Sequence, residues 1–213
     1  MDADPTRFSP FGLARSILND SFDRKALMLQ NIPGYQPGTY VIDGSHSNVT
    51  FSVRHMMVAK VRGEIEGLEG TIVLAEQPEG SSITATVDPS TINTKNADRD
   101  AHLRSADFFS TDEHPMWTFQ STGARVEGSD LYVDGDLQLR GVTKPVSLLV
   151  EFGGIGPDTW GNTRAGASAR TRVKRSDFGI TWNVAIESGG VMLSDDIDIE
   201  IEISAIQQAP VAA

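Results

Sequence analysis

The alternation at Asp196–Ile203 constrains the chain more than any other feature. Ile197, Ile199, Ile201 and Ile203 alternate with Asp196, Asp198, Glu200 and Glu202. Successive side chains of a strand point to opposite faces. One face is therefore acidic and must meet water, while the other is all isoleucine and must be buried. The same period of two recurs along the chain. Val49, Phe51, Val53 and His55 oppose Asn48, Thr50, Ser52 and Arg54, and Val61, Gly63 and Ile65 oppose Arg62, Glu64 and Glu66. Ile83, Ala85 and Val87 alternate with threonines. Leu131, Val133, Gly135, Leu137 and Leu139 oppose Tyr132, Asp134, Asp136 and Gln138. Shorter runs at Thr39–Ile42, Thr71–Leu74, Trp117–Ser121, Ala124–Glu127, Val146–Phe152 and Ala165–Val173 complete the set. About eight or nine runs at hairpin spacing predict an all-β chain, an antiparallel sheet closed into a barrel because closure leaves no unpaired edge. A barrel of about eight strands has an interior that side chains can fill or that one slender ligand can occupy. A β-sandwich is the alternative. The small inward residues of Ala165–Val173 favour space in the lumen. Arg140–Pro145 reads as a turn and Gly153–Gly161 as a glycine-rich loop.

One stretch breaks the strand pattern, from Asn93 to Phe109. Asn96 suits an N-cap and Asp98 the first turn of a short helix. Arg99 and Leu103 share a face, and Asp100 and Arg104 are spaced as a surface pair. Ser105-Ala106-Asp107 reads as a further turn that returns Phe108 and Phe109 toward apolar surroundings, and Pro115 ends the segment. The reading is a helical crossing that covers a hole at one end of the barrel.

Residues 1–37 read as an N-terminal extension, 38–206 as the barrel and 207–213 as a C-terminal tail. In the extension, Phe11, Leu18, Phe22 and Leu29 form one helical stripe with Ala14, Ile17 and Met28 beside it, predicting an amphipathic helix. That helix docks on the domain, on a partner, or on a second copy as a homodimer. Asp20 and Asp23 on its polar face weaken a membrane-surface reading, so membrane contact is expected to be transient only. Asn31–Gly38 is a proline- and glycine-containing linker. The acidic start Met1–Pro5 has no apolar run after it of the secretory kind, which makes cytoplasmic the expected location.

The formal net charge of −11 opposes binding to nucleic acid. The absence of cysteine removes disulfides, thiol catalysis and thiolate metal sites.

The ordered motifs resemble a known family. They are Tyr40-Val41-Ile42-Asp43-Gly44-Ser45-His46-Ser47, Val49–His55, Thr94 with Arg99-Asp100-Ala101-His102-Leu103, Asp107-Phe108-Phe109, Pro115-Met116-Trp117-Thr118-Phe119, Gly135–Val146 and Arg175-Ser176-Asp177-Phe178-Gly179. Together with the acid-alternating last strand they resemble the YceI-like, lipocalin-like polyisoprenoid-binding proteins over roughly Gly38 to Ile203. The 1–37 segment lies outside that pattern. The resemblance implies an elongated apolar cavity that holds an isoprenoid or similar long-chain lipid, and it transfers no catalytic residue.

Candidate cavity residues are Phe51, Val53, Phe108, Phe109, Trp117, Phe119, Leu137, Leu139, Phe178 and Trp182, with His55 at the mouth and Arg99 and His102 beside it. Arg99 suits a ligand phosphate, or else an ion pair tying the helix to a strand. His46 and His102 read as hydrogen-bonding to turn backbone. The four histidines show no local metal-ligand spacing, and Ser45-His46-Ser47 lacks the elbow of a serine nucleophile. No metal, cofactor or catalytic set is assigned. An enzyme acting on an apolar substrate through His102, Arg99, Asp100 or His46 is the second reading, and an interaction module docking through the N-terminal helix is the third. The basic residues Arg164, Arg170, Arg172 and Lys174 share an outward face, where they neutralise acidic neighbours or attract an anionic headgroup.

Overall fold

A computed structural model describes residues 34–56, 58–76, 80–185 and 191–209. The amphipathic helix expected between Phe11 and Leu29 lies outside the described residues. Among the described residues there are ten strands: β1 (Gly38–Ile42), β2 (Asn48–His55), β3 (Ala59–Ile65), β4 (Glu69–Leu74), β5 (Ser82–Val87), β6 (Trp117–Glu127), β7 (Asp130–Leu139), β8 (Val142–Pro157), β9 (Thr163–Lys174) and β10 (Leu193–Gln207). Among the described residues, one helix, α1 (Ala97–Arg104), and two 3-10 turns, Pro89–Thr91 and Arg175–Phe178, accompany them.

The strands form one antiparallel sheet in the order β1-β4-β5-β6-β7-β8-β9-β10-β2-β3, and β10 also pairs with β1. Eight strands thus close a ring from β1 round to β10. The last strand serves two partners in turn. Its end, Ala205–Gln207, pairs with Ile42–Tyr40, and its earlier part, Leu193–Glu202, pairs with His55–Asn48. β1 and β2 are therefore one long strand with a jog at residues 43–47, and β3 and β4 are a second long strand with a jog at residues 66–68. The two jogs lie together: a Cβ on Gly44 would sit 3.0 Å from the Leu68 carbonyl oxygen.

Beyond the jogs the ring is open on one side. β4 pairs with β5, whereas β3 pairs with β2, and among the described residues its backbone joins the chain beyond β5 only through the Glu64–Asn93 bridge. The segment between β5 and β6 fills that gap. Thr91 Oγ1 donates to the Glu66 carbonyl at 2.9 Å and accepts from the Glu66 N–H at 3.0 Å, so the first 3-10 turn is fastened to the jog.

Several sequence boundaries move. β8 begins at Val142 and runs through Pro145 and on to Pro157, so the turn is Arg140-Gly141 alone and the glycines after Phe152 are in strand. Pro145 is tolerated because β9 joins β8 only from Leu149 onward, leaving the proline on a stretch paired on one side. The glycines absorb a bulge between Phe152 and Gly154, and Gly154 takes a φ of 116° that few other residues adopt. β6 is continuous across a bulge between Ser121 and Gly123 rather than two strands. β10 runs through Gln207, and the Gln208 N–H donates to the Thr39 carbonyl at 2.7 Å, so pairing continues past residue 206.

The end of the barrel at β1 is plugged. Tyr40 and Ala205 are fully buried beside Ala165, packed by Ile72, Leu74, Ile155 and Ile203. Burial pushes the Tyr40 phenol above its usual range, and its hydroxyl donates to the Gln36 carbonyl at 2.9 Å.

Candidate functional site

At the other end the inward side chains pack against one another around a space. Ile197, Ile199, Val49, Phe51 and Val53 point into the barrel, yet each is only half-buried, because they border a chamber of about 520 Å³. Its walls are apolar and come from β2, β3, β10, the starts of β6 and the ends of β7 and β9. Phe51 explains part of the space. It is the register partner of Gly63, and its ring occupies the place a Cβ on Gly63 would need. The ring thus lies along the wall instead of projecting into the lumen. Phe119 lies across Gly135 in the same manner.

α1 supplies the polar side of the chamber. Asn96 caps it, its Oδ1 accepting from the Arg99 N–H at 2.9 Å. Asp100 does not form the expected surface pair with Arg104. It is buried, and its carboxylate accepts from both the N–H and the hydroxyl of Thr94. Thr94 Oγ1 in turn accepts from Arg99 Nε at 2.7 Å, and Arg99 Nη2 donates to the Thr94 carbonyl at 2.7 Å. The ion-pair reading of Arg99 is thereby corrected: among the described residues its partners are neutral oxygens of Thr94. A guanidinium held this way presents its charge to the chamber with its position already fixed. Asp98, on the preceding position, lines the chamber as well.

The turn after α1 brings in the aromatic residues. The Phe109 N–H donates to the Leu103 carbonyl at 3.0 Å and the Phe108 N–H to the Ser105 carbonyl at 3.1 Å. His102, Phe108 and Trp182 form one cluster, with His102 edge-on to Phe108 at 5.0 Å and to Trp182 at 4.9 Å. His102 Nε2 shares a hydrogen bond with the Asp107 carboxylate at 2.9 Å, not with turn backbone, and Asp107 is exposed. Two arginines tie this end together. Arg140 donates to the carbonyls of Gly179 and Ala106, joining the second 3-10 turn to the turn after α1. Arg175 is buried and donates to the carbonyls of Ser194, Ile180 and Trp182. Burial pushes its guanidinium below the usual range, with Asp195 opposing the shift.

Of the thirteen sequence candidates, Phe51, Val53, His55, Arg99, His102, Phe108, Phe109, Trp117, Leu139, Phe178 and Trp182 line this one chamber. Phe119 and Leu137 do not. They line a second, smaller cavity of about 120 Å³ deeper in the barrel, which a third of about 150 Å³ follows toward the plugged end. Val49, Ile197 and Ile199 are not among the thirteen but line the chamber too, on faces whose alternation marks them as inward. Also outside the thirteen are Thr94, Ile180 and Met192, which come from irregular segments with no periodicity to expose them, and Leu193 at the very start of β10.

A separate polar cluster clasps the outside of the barrel. Arg164 Nη1 meets Asp43 at 2.7 Å and Arg164 Nε meets Asp158 at 3.4 Å. His46 Nδ1 meets Asp43 at 2.8 Å and Ser45 Oγ at 2.9 Å, so His46 contacts a carboxylate and not turn backbone. Serine and aspartate share one ring nitrogen here, which is not the relay of a serine triad, where the base uses two. Arg172 pairs with Asp198 at 2.6 Å, a charge-neutralising role for the outward basic face. Among the described residues no three of His, Asp and Glu are grouped to hold a metal ion.

A closed antiparallel barrel of eight strands, with one helix laid over an apolar chamber, defines a lipocalin-like protein. Comparison with known proteins agrees. The YceI-like domain matches residues 40–205, and the chain belongs to that family. Protein YceI of Escherichia coli is 37% identical over 172 residues, covering 79% of this chain and 87% of that protein. The crystal structure of a Campylobacter jejuni YCEI protein is similar at a TM-score of 0.61 and 28% identity, covering 73% of this chain and 90% of that one. A polyisoprenoid binding domain from Saccharophagus degradans shares the fold at a TM-score of 0.60 and 15% identity, covering 81% of this chain and 100% of that one.

Proposed function

We propose that the protein is a non-catalytic carrier that holds a polyisoprenoid or similar long-chain lipid in the outer chamber, for transport, storage or sequestration. The observation that carries this reading is the half-burial of inward isoleucine, valine and phenylalanine around an apolar space of about 520 Å³. An apolar chain laid against such a wall gains packing contacts. Each buried CH₂ stabilises such a complex by up to about 0.8 kcal/mol. Arg99, Thr94 and His102 on the helix side suit the polar end of the lipid, which leaves the tail to the apolar depth. The Saccharophagus degradans domain, described as polyisoprenoid-binding, supports the same reading.

Catalysis is the weaker alternative. His102 and Asp107 are within hydrogen-bond distance, but Asp107 is outside the chamber lining and faces water. That geometry suits the fixing of a mouth more than acid–base work on a bound chain. Native mass spectrometry and organic extraction of the purified protein test the proposal. A co-purified lipid, released by solvent and taken up again on reconstitution, is the expected result. Protein that arrives empty and takes up neither prenols nor other long-chain lipids would overturn it.

A further inference from the structure

The apolar interior is divided in depth, and Trp117 stands at the division. The outer chamber of about 520 Å³ and the 120 Å³ cavity behind it share Val49, Trp117, Leu139 and Ile199 as lining. These four are the wall between the two spaces. The indole is its largest member, and Phe109 wedges it edge-on at a centroid distance of 4.7 Å. Phe109 is itself anchored to α1 through the Leu103 carbonyl, so the helix that provides the polar end of the chamber also braces its floor. The charged groups lie on one side only. Asp98, Arg99 and Arg175 line the outer chamber, and no charged residue lines the two cavities behind Trp117.

We infer that Trp117 is a floor that ends the path of the lipid tail and so sets the longest chain the protein prefers, with the cavities behind it outside the binding site. This rests on the reading that the outer chamber holds an isoprenoid tail. A tail shorter than the distance from Arg99 to the indole gains burial with every added unit. A longer one must buckle or leave carbons in water, and those carbons gain nothing.

The test is a binding series on the delipidated full chain with geraniol, farnesol, geranylgeraniol and solanesol. For the wild type, affinity should rise at least about tenfold per isoprene unit and then stop rising. Trp117→Ala, which joins the outer chamber to the cavity behind, should move the stop to a longer prenol. A wild-type series that keeps rising to solanesol, or a Trp117→Ala variant whose stop is unmoved, would overturn the floor while leaving the lipid reading in place. Failure of every prenol to bind would overturn both. Loss of a buried indole can unfold a protein, so Leu148→Phe gives an independent reading, because Leu148 lines both cavities behind Trp117 and not the outer chamber. Its prenol series should match the wild type, and a selective loss of affinity for the longest prenols would overturn the floor.

Discussion

The Phe51 ring lies flat across Gly63, its partner on the neighbouring strand, in the space that any Cβ at position 63 would fill. The pair keeps an aromatic wall and an open lumen at once. Gly63→Ala is expected to turn the ring into the chamber. Overpacking of this kind costs about 1–3 kcal/mol, which urea unfolding would register. Lipid uptake should fall at least about tenfold. Normal uptake by a folded Gly63→Ala variant would show that the ring has room elsewhere.

Thr94 joins the chain entering α1 to two of the helix's charged residues. Thr94→Val keeps the shape but removes the hydroxyl that donates to Asp100 and accepts from Arg99. The buried carboxylate then lacks one donor, which costs about 1–3 kcal/mol. Thr94→Ser should recover most of it. Equal stabilities of the valine and serine variants in a denaturant titration would rule out the hydroxyl's role.

Asp43 gives the barrel an acid limb. The hydrogen bond from Ser45 foremost, then the Arg164 guanidinium, hold its carboxyl well below the usual carboxylate range. A group depressed in the folded state contributes stability that is fully present above its unfolded value of about 4, and that contribution is lost as pH falls through the lower folded value. Asp43→Asn should therefore be less stable than the wild type at neutral pH, and the difference should shrink steadily in acid. Urea midpoints from about pH 7 to about pH 2 check this. A difference that stays constant over that range would contradict it.

The Trp117 Nε1 is buried without a hydrogen-bond partner among the described residues. Trp117→Phe removes that orphan donor at the expense of some packing. The two effects oppose, so the net change should stay within about 1.5 kcal/mol. A loss well beyond that in thermal or urea unfolding would mean that the indole N–H has a partner after all.

Much of this architecture can be read in the residues themselves. Strict alternation, as at Ile197–Ile203, specifies which face is inward, because a slip of one residue would bury four carboxylates. Asn96 specifies where the helix begins. What resists reading is anything set by a strand's neighbours. Pro145 looks like a turn until it is known that β9 reaches β8 only beyond it. Phe119 and Leu137 alternate with the same phase as Leu139, yet they sit on the far side of Trp117, and depth along a barrel leaves no mark on period. Asp100 has surface spacing from Arg104, but the nearby Thr94 outbids Arg104 for it by offering two donors. Met192 and Ile180 reach the chamber from segments with no repeat at all.

The shared use of β10 has a mechanical side. Where it pairs with β1, the ring is stitched by ladders on every side, and Tyr40 blocks the bore. Where it pairs with β2, the outer margin of β3 is joined to the chain beyond β5 by a single two-residue backbone bridge among the described residues. On the proposed lipid-carrying reading, exchange would run through the soft lip of a cup whose base stays sewn shut, by the yielding of side chains and one short helix and not by the tearing of a sheet.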